Sequence, residues 1–167
     1  KAQEQIESLG ANNIIVRSIK PPTVETQEQR TLRYGLTRDD YARLSGTIPT
    51  ITRAIPIREI RRRFRYGEQQ VDGRLVGCTP EYAEVSRLRV AQGRFLSEVD
   101  GVEMKNYCVL SAEVAAQLFQ HHNPLGRAIH VDEDYYLVVG VMRPRSPTAA
   151  IGGSLAAQDF SSDVYVP

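Results

Sequence analysis

Hydrophobic and polar positions change rhythm several times along the chain, and the sharpest change lies past its middle. Tyr107-Cys108-Val109-Leu110 is a short apolar run of strand type. Ser111 follows it directly as a helix cap, after which Val114 and Leu118, and Ala115 and Phe119, fall four apart on one face. From Ile51 the rhythm is alternation instead. Ile51, Ile55 and Ile57 suggest one strand, and Ile60, Phe64 and Tyr66 alternate with Arg61, Arg63 and Arg65 in a second. Gly67-Glu68 turns the chain into a third strand over residues 70–78, making a β-meander. Residues 128–131 and 135–142 flank Asp132-Glu133-Asp134 as a hairpin, and Val164-Tyr165-Val166 is strand-like before Pro167.

Shorter signals fill the intervals. Residues 1–9 are helix-compatible with Gly10 as a stop, and so short a helix makes more sense as the end of a longer one. Residues 13–17 are dense in β-branched side chains and predict a buried strand, ended by Lys20-Pro21-Pro22, with a loop over 23–33. Thr37 with Asp40 three residues on is a capping box, Tyr41 and Leu44 lie one turn apart, and Gly46 closes the helix. Thr79-Pro80-Glu81 predicts a further helix from Pro80, broken at Gly93-Arg94-Phe95-Leu96. Residues 143–163, rich in Pro, Gly, Ser and Ala, read as a long functional or mobile loop.

The chain has 167 residues, 25% charged and 41% hydrophobic, the proportions of an ordinary globular chain with enough length to bury a core. Its net charge of +1 supplies no global field for nucleic acid or an anionic membrane. The longest apolar run, residues 135–142, falls far short of a bilayer span, and the start at Lys1 reads as a processed or excised piece of something longer. None of the three lysines follows a glycine, so no P-loop can be written. Cys78 and Cys108 form no C-x-x-C pair; they either bridge in an oxidising compartment or stay as two buried thiols.

Candidate chemistry is sparse. His121-His122, His130 and the acidic turn at 132–134 are the only cluster with metal-ligand groups. Adjacent histidines on one element point apart and turn acids are ordinarily solvated, so no metal or other cofactor is expected. Ser111 lacks both glycines of a nucleophile elbow, and Gly152-Gly153-Ser154 has neither a preceding strand nor a following lysine. The arginines stand out. Residues 53–65 hold six Arg and one Glu, leaving the rest of the chain net negative. Arg61, Arg63 and Arg65 are thus candidates for a partner-binding face, while the alternative is a strand surface charged to block edge pairing.

The order of landmarks resembles one family. Ser8-Leu9-Gly10-Ala11-Asn12-Asn13-Ile14-Ile15-Val16 leads to Leu36-Thr37-Arg38-Asp39-Asp40, Val76-Gly77-Cys78-Thr79-Pro80-Glu81-Tyr82 and Gly93-Arg94-Phe95-Leu96. Val109-Leu110-Ser111, Leu118-Phe119, Asn123-Pro124-Leu125-Gly126-Arg127, Val138-Val139-Gly140-Val141-Met142 and Val164-Tyr165-Val166-Pro167 follow. Together they resemble the extracytoplasmic core domain of MacB-like ABC transporter permeases, the mechanotransmission group that includes the lipoprotein-releasing and FtsX-type systems.

The resemblance implies an α+β fold with mixed sheets and short helices in two lobes. A membrane-proximal, porter-like lobe would cover residues 1–65 and an inserted α/β lobe residues 66–167. Because a further strand and helix usually follow the V-Y-V-P element, the first lobe would be short of its C-terminal completion here. The resemblance also implies a non-catalytic domain on the periplasmic face of the bacterial inner membrane, placed between two transmembrane helices that this chain lacks. Its implied partners are an ATP-binding cassette subunit or domain acting through the membrane, a second permease copy and a periplasmic adaptor, but no nucleic acid. A stand-alone extracytoplasmic binding or adaptor module is the alternative function.

Overall fold

The structure is a computed structural model that describes residues 14–17, 35–120, 122–144 and 162–167. The chain divides into two compact units, Lys1–Ala54 and Ile55–Pro167. The division falls ahead of the expected Arg65/Tyr66 boundary, which would cut through one continuous strand and separate it from its hairpin partner.

In the first unit, α1 (Arg38–Thr47) begins as its sequence predicts. The Asp40 N–H donates to Thr37 Oγ1 at 3.2 Å while the Thr37 N–H donates to the Asp40 carboxylate at 2.8 Å, which closes the capping box. Tyr41 Oη donates to the Ala54 carbonyl at 3.2 Å. No residue of the helix is buried. The buried strand expected over 13–17 is corrected: Ile14 to Arg17 are exposed and outside any strand, with Ile14 90% exposed. β-propensity makes no strand without a ladder partner, and none pairs here among the described residues. Residues 1–13 and 18–34, with the readings placed on them, lie outside the described residues.

The second unit is built on strands β1 (Ile57–Tyr66), β2 (Gln69–Cys78), β3 (Val90–Gly93), β4 (Tyr107–Leu110), β5 (Ala128–Val131), β6 (Asp134–Met142) and β7 (Asp163–Val166). Its helices are α2 (Glu81–Val85), α3 (Glu98–Val102) and α4 (Ala112–Phe119). β1 and β2 pair residue for residue across the Gly67-Glu68 turn, where Gly67 takes φ +58°. The expected meander is therefore a hairpin. Residues 51–56 form no strand, and Ile55 packs against the core instead.

The ladders close on themselves. β1 runs antiparallel to β2, β2 parallel to β7, β7 antiparallel to β4 and β4 parallel to β6. β6 then pairs antiparallel with β5, and β5 with β1, so six strands form a ring in one mixed sheet. β3 joins as a seventh strand on the far half of β6. It lies where the helix from Pro80 was expected to continue. That helix stops at Val85, because Arg87 enters the left-handed region at φ +51° and turns the chain into the strand.

Both faces of the sheet are covered at β4 and β7, which explains the apolar runs Tyr107–Leu110 and Val164-Tyr165-Val166. On one face Phe64, Leu110, Ile129, Val138 and Val164 pack under Val114 and Leu118 of α4. On the other, Val76, Val109, Met142 and Tyr165 pack with Tyr82 of α2 and Leu96. Burial on two sides requires close backbone approach at a few points. A Cβ at Gly140 would collide with the Arg94 carbonyl, and one at Gly73 with the Ser162 carbonyl.

Cys78 and Cys108 are buried free thiols, with burial pushing Cys78 up to about 12 and raising Cys108 as well. Residues 145–161, most of the expected loop, lie outside the described residues, and Asp163 at its end belongs to β7.

Gly140→Ala is expected to lower the unfolding free energy by about 1–3 kcal/mol, since backbone must move to admit the methyl group. Gly77→Ala, whose Cβ would meet Arg58 at ordinary contact distance, is expected to change it by less than about 0.5 kcal/mol. Urea unfolding of the two variants checks the contrast, and equal losses would contradict it.

Candidate partner-binding face

The alternation of β1 places Arg61, Arg63 and Arg65 on one face and Ile60, Phe64 and Tyr66 on the other. Phe64 is buried, Ile60 and Tyr66 are half-buried, and the three arginines are exposed. Across the hairpin Arg61 stands opposite Arg74, Arg63 opposite Asp72 and Arg65 opposite Gln70. Arg63 Nε reaches Asp72 Oδ1 at 2.9 Å in an exposed pair, which raises the already high Arg63 pKa. Arg62, on the opposite face, pairs with Asp132 at 2.7 Å in the turn between β5 and β6.

This charged face runs inward to a buried ion pair. Asp163 is 1% exposed and accepts two hydrogen bonds from Arg74, Nε to Oδ1 at 2.8 Å and Nη2 to Oδ2 at 3.0 Å. Glu59 stands 3.8 Å from Arg74, and Tyr165 Oη donates to Asp163 at 3.5 Å. Burial pushes the Asp163 carboxyl up to about 6, an effect that Arg74 opposes without cancelling. The same burial, with the Asp163 charge nearby, raises the Tyr82 hydroxyl.

A second clamp lies at α3. Arg94 grips Asp100 through two bonds, Nη1 to Oδ2 at 2.5 Å and Nη2 to Oδ1 at 2.9 Å, while Asp100 also caps the helix through Ser97 N–H at 2.8 Å. Arg94 holds the Asp100 carboxyl down to about 2. Sequence reading missed both clamps. Ser97-x-x-Asp100 has the capping-box spacing that could have revealed α3, whereas nothing local marks Asp163 as the partner of Arg74, 89 positions away.

The other candidates have structural roles. Ser111 Oγ accepts the Val114 N–H at 3.4 Å as a helix cap. The His130 ring meets the Tyr135 ring at a 51° tilt with centroids 3.9 Å apart, and His122 Nδ1 lies 3.2 Å from the Phe119 carbonyl. Among the described residues no three His, Cys, Asp or Glu side chains are placed to hold a metal. His121 and the glycine pair at 152–153 lie outside them.

A profile of the MacB-like periplasmic core domain matches residues 1–167. The chain belongs to the MacB-like periplasmic core domain family. It is 23% identical over 165 residues to the macrolide export ATP-binding/permease protein MacB of Bdellovibrio bacteriovorus, covering 99% of this chain and 24% of the relative. The MacB of Nitrosomonas europaea is 30% identical over 132 residues, 77% of this chain and 18% of the relative. The chain thus spans about a quarter or less of these curated relatives.

Among solved structures, the extracellular domain of the noncanonic ABC-type transporter YknZ from Gram-positive bacteria superposes with a TM-score of 0.64 at 24% identity, over 79% of this chain and 62% of that one. The periplasmic region of MacB from Actinobacillus actinomycetemcomitans gives 0.61 at 24%, over 77% and 53%. These likenesses establish the fold, the mixed α+β architecture of MacB-like periplasmic domains. The periplasmic core domain is a non-catalytic part of ABC transporter permeases, and no described helix here is long and apolar enough to cross a membrane.

The two clamped carboxylates make opposite contributions to stability with pH. The folded-state pKa of Asp163 lies above the 3.8 of an ordinary aspartate, so the folded chain binds the extra proton. Its contribution to stability is full below about 3.8 and is lost as pH rises through about 6. Asp100, depressed to about 2, contributes stability that is full above the 3.8 of an ordinary aspartate and is lost as pH falls through about 2. Unfolding free energies of wild type and Asp163→Asn, measured from pH 4 to 7.5, should diverge with the wild type losing stability faster as pH rises. Parallel curves would mean that Asp163 ionises in the folded chain as easily as in the unfolded one.

Proposed function

We propose that this domain is the moving extracytoplasmic body of an ABC transporter permease, coupling transmembrane helix motion driven by cytoplasmic ATP hydrolysis to export or release of a substrate. The observation that carries this reading is the closed ring of strands in Ile55–Pro167. A body whose main-chain hydrogen bonds return on themselves has few sheared positions at which to absorb a push, so a tilt applied at one end is delivered at the other. Its permease would act as two copies held together through the membrane region, which supplies high effective concentration without a strong interface between the domains.

On the same reading, Arg61, Arg63 and Arg65 dock the acidic rim of a periplasmic adaptor. Two features support them over neighbouring charges. They project from a strand whose other face is core, so their backbone positions are fixed. Among the described residues, Arg61 and Arg65 have no acidic partner of their own, unlike Arg62 and Arg63.

Both halves are testable in the complete transporter. Spin labels at Gln70→Cys and Glu133→Cys report on the ring itself, and the buried native thiols, held protonated, stay silent. The distance between the labels within one domain is expected to stay fixed between nucleotide-free and ATP-trapped states, while the distance between Gln70→Cys labels on the two copies shifts. A change inside the domain as large as that between copies would refute the rigid-body reading. For docking, the triple exchange of Arg61, Arg63 and Arg65 to Glu is expected to leave the fold intact and to weaken adaptor association most at low salt. Unchanged association would leave edge protection as the role of the arginines.

A further inference from the structure

Side chains are half of what β1 presents; the other half is backbone. β1 pairs with β2 along its whole length but with β5 only at Phe64 and Arg65. Among the described residues no strand lies against that second edge ahead of Phe64. The two-residue turn makes Tyr66 and Gln69 the closing hydrogen-bonded pair of the hairpin. By antiparallel alternation Phe64, Arg62, Ile60 and Arg58 aim N–H and C=O at β2, whereas Arg65, Arg63, Arg61, Glu59 and Ile57 aim theirs at the opposite edge. One contact agrees with this phase: the Arg61 carbonyl accepts from Arg62 Nη1 at 3.1 Å instead of from β2.

The charge along this edge selects its occupant. β1 carries five arginines and one glutamate. Asp132 and Asp72 engage Arg62 and Arg63, while Arg58, Arg61 and Arg65 have no acidic partner among the described residues. A second copy adding the same edge would set five arginines against five, and like charges opposed across a ladder are destabilising. An extended acidic segment meets both demands at once: it has main-chain groups for the ladder and carboxylates for the guanidiniums.

We propose that the edge of β1 ahead of Phe64, centred on Arg61, receives an acidic extended segment of a partner polypeptide as an added strand. The Arg61 N–H donates to a carbonyl of the incoming segment. An N–H of that segment replaces Arg62 Nη1 at the Arg61 carbonyl, and the released guanidinium meets a carboxylate of the segment. Main-chain bonds supply affinity and the alternating acidic side chains supply selection. This deepens the docking reading above and rests on it; that reading needs the arginine side chains, and this one also needs the Arg61 peptide groups.

The test uses the 167-residue chain and a short peptide of alternating glutamate and valine, with a version N-methylated at every second amide as its equal in charge. Arg61→Pro removes the outward N–H without removing a bond to β2, a position where an edge strand tolerates proline, and Arg61→Gln removes only the charge. The peptide is expected to bind Arg61→Pro about tenfold or more weakly than Arg61→Gln. In the wild-type complex, hydrogen exchange at the Arg61 and Arg63 amides is expected to slow. Equal binding by Arg61→Pro and Arg61→Gln would overturn the added strand and leave side-chain docking standing. Should Arg61→Pro fail to fold, equal binding of the plain and N-methylated peptides to wild type would overturn it instead. No binding to wild type would also overturn it, and the docking reading falls with it only if the triple glutamate exchange leaves adaptor association unchanged.

Discussion

The second unit depends on a strand of four residues. β7 lies between β2 and β4, and without it those strands would face each other across a gap lined by unpaired N–H and C=O groups. All four of its residues are buried. Its place is set from both neighbours by bonds outside the regular ladders. The Arg74 N–H donates to the Ser162 carbonyl at 2.9 Å, an approach that only a glycine at position 73 admits, and the Ser111 N–H donates to the Asp163 carbonyl at 2.9 Å. The second bond links the strand to the residue that caps α4. Ring closure and the seating of the main core helix are therefore one event.

Asp163 turns that event into a choice of register. A carboxylate this buried is costly, and the two bonds from Arg74 offset the cost only while Asp163 lies directly opposite Arg74. A slip of β7 by one residue would turn Asp163 to the face packed by α4, among the apolar side chains of Phe64, Leu110 and Val114 and away from Arg74, and would send Tyr165 after it. The pair adds little to stability at neutral pH, since the carboxyl stays raised beside its partner. Its role is to make the wrong register much worse than the right one.

What the sequence disclosed follows the range of the interactions involved. The cap at Ser111 with the apolar face of α4, the Thr37–Asp40 box, the Gly67-Glu68 turn and the hairpin around Asp132 and Glu133 are set by residues within a turn of each other, and all were legible. The face assignment of β1 was legible too, because period-two alternation survives any partner. β3 was not. Val90–Gly93 has no alternating pattern, and it is a strand because Gly93 and Gly140 let two backbones come together. Ile51 and residues 14–17 mislead in the opposite sense, as they have strand composition with nothing to pair with among the described residues. The order of motifs led to the right family although no one motif carries chemistry, since spacing records the whole fold where periodicity records one element.

The same distinction bears on β1. Proteins blunt an open strand edge with charged side chains, proline, a bulge or an early stop, and the last three bar every partner alike. β1 has none of those three: it runs ten residues in unbroken register with β2 and contains no proline. Its protection is charge, together with one guanidinium folded over one carbonyl. Charge discriminates where proline does not. It repels copies of the same chain, which bring the same arginines, and it leaves the backbone open to a segment of opposite sign. A guard of one sign on a geometrically intact edge therefore protects the strand against its own copies and, on the docking reading, still admits a segment of opposite sign.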